Sequence, residues 1–377
     1  VAMAAWSMTT LIAPVTGPLL GGWITDNMTW PWIFYINAPV GVLAALVTWA
    51  IFRHRESPRH ALPIDSVGLG LLVVWVASMQ IMLDIGKEHD WFESPLVVGC
   101  AVVAAIGFAA FMIWELGDKH PVVDLTLFRI RNFWAGAIAT SFGYGVFFGN
   151  VVLLPLWLQQ FMGYTATQAG EVLAPVGLLA LVLSPIVGRT VTKADPRQYA
   201  TISFLVFALV LWMRSRFNTQ ADVVTILIPT VIQGIAMAFF FIPLVTITLS
   251  EVHGPRIPSA SGLSNFMRIT AGAIGTSVST TLWERRATMH HVHLVETLQQ
   301  GNGTLAQTLQ GLQAAGLSQQ QALGQVELLL NQQAFMLAAN DIFYASALIF
   351  LLLIPLIWLA HRPHASEGSA EAAAGAH

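Results

Sequence analysis

The sequence predicts an all-α protein whose helices lie in lipid, and three observations carry that expectation. Only 10% of the 377 residues are charged and 55% are apolar, whereas an average soluble domain carries about 25% charged residues. Ten runs approach the roughly 20 apolar residues that a helix needs to cross the hydrocarbon core: 2–24, 32–52, 66–84, 95–116, 133–162, 168–191, 198–213, 223–250, 262–283 and 341–360. The chain also holds 13 tryptophans, whose rings favour the bilayer interface. No run alternates polar and apolar residues as an outer-membrane strand does, so a β-barrel is excluded. A net charge of -3 provides no basic field for nucleic acid.

The first run lacks the basic flank of a secretory signal and contains Pro14, Gly17, Pro18, Gly21 and Gly22, so it reads as a span. It opens at Val1 already within apolar sequence, and further chain is expected upstream. Cys100, the single cysteine, lies inside the fourth run and has no internal disulfide partner, so it reads as a small core residue. The seventh run is short. The eighth is long and carries Pro229, Gly234 and Pro243, which points to a kink or tilt. Residues 284–340 are rich in Gln, Leu and Ala; Leu305, Leu309 and Leu312 recur at helical spacing, and Ser318 precedes three glutamines as a cap would. A helical hairpin follows from that pattern, serving as a cap on its own protein or as a face for a partner. The tail, 362–377, is Ala, Gly, Ser and Glu, too small and polar to build a core.

Orientation follows from Lys and Arg, which stay on the cytoplasmic side of short loops. Arg53, Arg55, Arg59, Lys119, Arg129, Arg131, Arg189, Lys193, Arg197, Arg256 and Arg362 fall on one side, eleven in all. Lys87, Arg214, Arg216, Arg285 and Arg286 fall on the other, five in all. The first set is expected to face the cytoplasm.

Polar groups inside spans need a reason, because a charge at mid-bilayer costs about 2.5 to 3.5 kcal/mol on insertion scales. Asn150 and Gln233 lie near the middle of their runs, lining a wet cavity or bonding across helices. Arg268 shares a helix face with Asn265, three residues earlier; it snorkels to water, or holds an inner gate or reads an anionic group. Glu171 is the acidic candidate for proton exchange, since partial burial raises a carboxylate's affinity for a proton; interfacial placement is the alternative. Asp84 and Glu115 end their runs and read as interfacial. His290, His291 and His293 suggest a metal, but no Cys or carboxylate cluster completes a coordination shell, and a wetted outer loop is the reading preferred. No nucleophile elbow, phosphate-binding loop or dinucleotide fingerprint occurs, so neither catalytic residues nor a cofactor are expected.

Small residues at four-residue spacing in Ala13-Pro14-Val15-Thr16-Gly17-Pro18-Leu19-Leu20-Gly21-Gly22 let helix backbones approach. The string resembles the antiporter motif (Ala13, Pro14, Gly17, Pro18, Gly21 and Gly22) of drug-exporting major facilitator proteins. Trp30-Pro31-Trp32-Ile33-Phe34-Tyr35-Ile36-Asn37-Ala38-Pro39-Val40-Gly41, Gln80 to Asp84, Gly163 to Thr167 and Ser261 to Arg268 are similar to the fourteen-span drug:proton antiporters of the EmrB type. The resemblance departs at Pro31, where the family has Arg or a small residue, and is weak over Gly188 to Arg197, where the family has its gating loop.

What the resemblance implies is an all-α major facilitator fold with ten of about fourteen spans present, the four before the antiporter motif being absent. Residues 1–52 would then be the last two helices of the N-terminal bundle, 53–132 a central two-helix insert, 133–283 C-terminal bundle helices, 284–340 an outer helical loop, 341–361 the last span and 362–377 a disordered tail. It implies export of lipophilic small molecules against protons, with coupling carboxylates usually in the first and fourth helices. It further implies a Gram-negative inner membrane, a periplasmic membrane-fusion adaptor and an outer-membrane channel. A lipid-modifying membrane enzyme and a non-transporting scaffold are the alternatives; the first lacks any interfacial cluster of acid, base and nucleophile.

Overall fold

The computed structural model describes residues 16–53, 65–118, 121–191, 193–299 and 303–362. Ala13, Pro14 and the tail lie outside them. The helices are α1 (16–27), α2 (Trp32–Tyr35), α3 (Asn37–Phe52), α4 (Ser66–Ile85), α5 (Pro95–Gly117), α6 (Arg131–Phe161) and α7 (Ala166–Leu173). They continue with α8 (Pro175–Thr190), α9 (Pro196–Arg214), α10 (Val223–Ala238), α11 (Phe241–Leu249), α12 (Ile257–Gln299), α13 (Thr304–Ala314) and α14 (Gln319–Trp358). Among the described residues there is no strand. Eight helical stretches are long and apolar enough to cross a membrane. The expected first run lies largely outside the described residues, and 262–283 is part of α12, whose many Ser, Thr and Gly residues dilute its apolar character.

Prolines decide where spans break. The break between α10 and α11 falls at Phe239–Phe240; Pro243 has no N–H for the Phe239 carbonyl and its ring crowds that oxygen. Pro39 acts likewise on Tyr35, one residue before the interruption at Ile36. Ala174 separates α7 from α8 while keeping helical dihedrals; Pro175 after it has no N–H to offer the Glu171 carbonyl four residues back. Pro31, the departure noted above, is the N-cap of α2, where a missing N–H costs nothing.

The chain divides into two compact units. One comprises Ala13–Thr126 and Tyr164–Ala174. Within it α4 and α5 pair, with Trp75 edge-on to Phe108 at 5.2 Å and its Cβ so close to Gly107 that a Cβ there would sit 2.9 Å away. Asp65 caps α4 through Val67 N and Gly68 N and accepts from Trp114 Nε1 at 2.9 Å. Glu115 is buried beside Gly68, accepting from Val123 N at 3.2 Å, and Asp84 is exposed, accepting from Gln80 at 2.8 Å.

The other unit contains Leu127–Gly163 and the chain from Pro175 onward. Its core is phenylalanine-rich: Phe207 stacks on Phe350 at 4.7 Å, and Phe204 and Phe240 pack around them. Hydroxyls inside helices bond the carbonyl four residues back, as Thr140, Thr230 and Thr248 do, which hides them from lipid. α12 has 43 residues and α14 has 40, about 64 and 60 Å at 1.5 Å per residue. Both exceed the roughly 30 Å hydrocarbon core. Among the described residues of 284–340, α12 runs on to Gln299, α13 spans Thr304–Ala314 and α14 begins at Gln319, so the helices expected there are present and two of them continue the flanking spans. Ser318 caps α14 with Gln321 in a reciprocal box.

Candidate functional site

Gly145 and Gly149 on α6 meet α12 at Ala271, Gly275 and Ser279. A Cβ on Gly275 would lie 2.1 Å from the Gly145 carbonyl oxygen, and one on Gly149 2.8 Å from that of Gly275. This is backbone-to-backbone packing, the lipid-phase route to tight helix pairs. It holds Tyr144 and Phe148 in register with Arg268. Tyr144 lies so close to Gly272 that a Cβ there would be 2.9 Å from its ring.

The guanidinium of Arg268 sits 4.8 Å from the Tyr144 ring centroid and 5.5 Å from that of Phe241. It donates to Asn265 Oδ1 at 2.5 Å, the i, i+3 pairing expected from the sequence. The Tyr144 ring lies tilted against that of Phe148, their centroids 4.4 Å apart. Arg268 is half-buried and lies about 16 Å along α12 from Ile257, taking 1.5 Å per residue. Among the described residues it pairs with no carboxylate. Two cation–π contacts, each about 0.5 to 2 kcal/mol, offset part of its insertion cost. Among the described residues its other N–H groups have no anionic partner.

Asn150 and Gln233 are elsewhere, and both join helices. Asn150 Nδ2 donates to Val146 O at 2.7 Å and to Ser346 Oγ of α14 at 3.0 Å. Gln233 Oε1 accepts from Arg214 Nη2 at 2.7 Å, and Thr230 Oγ1 lies 3.3 Å from the same nitrogen. Arg214 was counted among outer-loop charges in the sequence; it is 2% exposed, and without it the orientation count is eleven against four. Its position at the C-terminal end of α9, facing the carbonyl end of the helix dipole, favours a cation.

The end of this unit expected at the cytoplasm is tied together by polar side chains. Asn132 donates to Ser250 Oγ at 2.8 Å and accepts from His361 N at 2.6 Å. His361 Nδ1 is 3.0 Å from Glu251 Oε1. Arg197 chelates Asp195 at 2.8 Å, donates to Ala360 O at 3.1 Å and stacks over Trp358 at 4.9 Å. Burial pushes the Asp195 carboxyl up, but hydrogen bonds and charge from Arg197, with Arg362 adding charge, prevail and hold it below the usual carboxylate range. At the opposite end His290 meets Asp341 at 2.9 Å and His291 meets Glu327 at 3.0 Å, partners 51 and 36 residues away in sequence.

In the first unit, the antiporter-motif helix α1 runs against α7. A Cβ on Gly22 would sit 2.4 Å from the Ala166 carbonyl oxygen, and one on Gly170 2.3 Å from that of Pro18. Gly17 and Gly21 have nothing within 4 Å of such a Cβ, so of the motif's glycines Gly22 alone forms this seam. Asp26, beyond the expected end of the span, accepts from Thr167 N at 2.7 Å and Thr167 Oγ1 at 2.5 Å. Glu171, on the same short helix, is exposed. Asp26 was missed because its partner lies 141 residues away; a carboxylate in the last turn of a helix, where the dipole disfavours it, was the available signal.

The chain matches the family model described as Major Facilitator Superfamily over residues 1–276. It is 45% identical over 367 residues to the fatty acid resistance protein FarB of Neisseria gonorrhoeae, covering 97% of this chain and 72% of that protein. It is 45% identical over 369 residues to the multidrug export protein EmrB of Escherichia coli K12, covering 98% and 72%. The likeness to EmrB of Haemophilus influenzae is 44% over 367 residues, covering 97% and 72%. This chain belongs to the Major Facilitator Superfamily of membrane transporters, among its EmrB-type efflux proteins.

Proposed function

We propose that the chain exports lipophilic compounds, amphipathic anions among them, from the cytoplasm by alternating access driven by inward proton movement. The observation that carries this reading is the Arg268–Tyr144–Phe241 patch, a cation on aromatic faces with no carboxylate of its own. The rings take the apolar part of a substrate and the guanidinium takes its charge. Energetics allow one proton per molecule. A hundredfold gradient costs about 2.7 kcal/mol, while a proton crossing about 100 mV releases roughly 2.3 and a unit of pH about 1.4.

Glu171, exposed on α7, is the carboxylate we put forward for proton exchange. By likeness to EmrB the chain works in a Gram-negative inner membrane with a periplasmic adaptor and an outer-membrane channel. The Lys and Arg count supports an outer position for the extended ends of α12 and α14. Cells carrying the gene should accumulate less of an anionic dye than cells without it. Arg268→Ala should reduce that difference about tenfold, the factor for one lost charge-assisted contact, and affect an uncharged dye less. Glu171→Gln should abolish export of both. Equal loss of both dyes in the Arg268 variant would remove its role in selection, and full export by the Glu171 variant would leave that carboxylate interfacial.

A further inference from the structure

The contact between α1 and α7 repeats every four residues. Pro18, Gly22 and Asp26 stand on one face of α1. They oppose Gly170, Ala166 and Thr167 respectively; the first two pairs run in opposite senses, so the helices are antiparallel, with two backbone contacts and a clasp of charge-assisted hydrogen bonds at the end. The backbone contacts have no side chain between them and cannot slide; they are either made or broken. Asp26 is different in kind. Thr165 and Gln168 already form a capping box for α7, satisfying Gln168 N. The N–H of Thr167, one of the helix's orphan donors, is supplied with an acceptor by another helix. The carboxylate is unfavourably placed at the negative end of its own α1 and favourably placed at the positive end of α7.

We propose that Asp26 is the latch of this seam: its bonds to Thr167 hold α1 against α7 when the outer side is closed, and must release in every transport cycle. The inference rests on the transport reading above. α7 runs through Ala174 into α8, so a clasp on Thr167 restrains the chain that leads into the other helices. Bonds from the Thr167 side chain and backbone hold the Asp26 carboxyl below its usual range. The closed seam therefore keeps Asp26 charged, and it acts as a positioning residue rather than as a proton carrier.

The test is made on the full chain in membranes, with Cys100 replaced by Ser and a protease site placed in the 54–64 segment so that intramolecular linkage is seen on a gel. In the Asp26→Cys, Thr167→Cys pair, a catalytic oxidant should link the two positions and reduce export to about a tenth or less; reductant should restore it. A linked protein that exports at the reduced protein's rate overturns the proposal, as does failure to link. Independently, Asp26→Asn keeps shape and removes charge. It should speed labelling of an Ala166→Cys reporter by a membrane-impermeant maleimide about tenfold, with thermal stability in detergent unchanged; unchanged labelling overturns the latch. Absence of proton-driven export by the unmutated protein would overturn the transport reading instead, while the labelling comparison would still judge the clasp.

Discussion

Several charged and amide side chains inside this protein are matched to a particular partner, and that matching sets what a substitution does. Gln233 accepts from Arg214 in a buried setting. Gln233→Leu leaves the guanidinium short of an acceptor and should cost about 1 to 3 kcal/mol, read as a lower unfolding temperature in detergent; an unchanged temperature would mean that Arg214 finds water there. Asp195 gives a pH signature. Its folded value lies below the ordinary one, so its contribution is complete above the unfolded carboxylate range, about 4, and is lost as pH falls through the lower folded value. Thermal stability should therefore decline in acid below about pH 4, and Asp195→Asn should flatten that part of the profile. A variant with the wild-type acid slope would assign the decline to other carboxylates. Asn150, Gln233 and the Asn265–Arg268 pair were legible in the sequence because a polar residue among apolar neighbours announces itself. Their partners were not, because Ser346 and Arg214 come from helices far along the chain or were read as loop.

At the scale of elements, glycine position outweighs glycine number. Gly275 and Gly262 lie on the same helix, α12, yet a Cβ on the first meets the Gly145 carbonyl oxygen at 2.1 Å and one on the second meets nothing within 4 Å. Gly275→Ala should cost about 1 to 3 kcal/mol by forcing α6 and α12 apart. Gly262→Ala should be neutral or stabilising by up to about 1 kcal/mol, since alanine loses less conformational freedom in a helix. Thermal unfolding of the two variants side by side decides it, and equal effects would contradict the packing described. The spans themselves were readable from hydropathy and length, because lipid admits only backbone that satisfies itself. Their interruptions at Ile36, Ala174 and Phe239–Phe240 follow from prolines visible in the sequence, although a kink rather than a break was expected in the eighth run. The continuity of α12 and α14 far beyond a bilayer's thickness was not legible. Leu305 and Ser318 signalled helix correctly, but nothing local says whether a helix continues from the span before it.

Across the whole molecule, scarcity of charge makes lipid the solvent, small residues let helices pair closely, and one such pair holds a cation on aromatic rings. An Arg268 with no carboxylate partner among the described residues would be a burden in a purely structural helix bundle, since its insertion cost is only partly offset. It becomes intelligible if substrates bring the counter-charge. The polar network of Asn132, Glu251, Arg197 and His361 closes one end of its unit, and the clasp of Asp26 closes one seam of the other, so both units carry contacts suited to being made and broken. The most direct measurement is on purified protein in sealed liposomes with a pH-sensitive dye inside, following proton movement as a lipophilic anion is added under no imposed voltage. The account predicts that protons and substrate cross in opposite directions in a fixed ratio, and that an imposed proton gradient drives substrate uphill. Substrate movement that leaves the internal pH unchanged and ignores the gradient would contradict it.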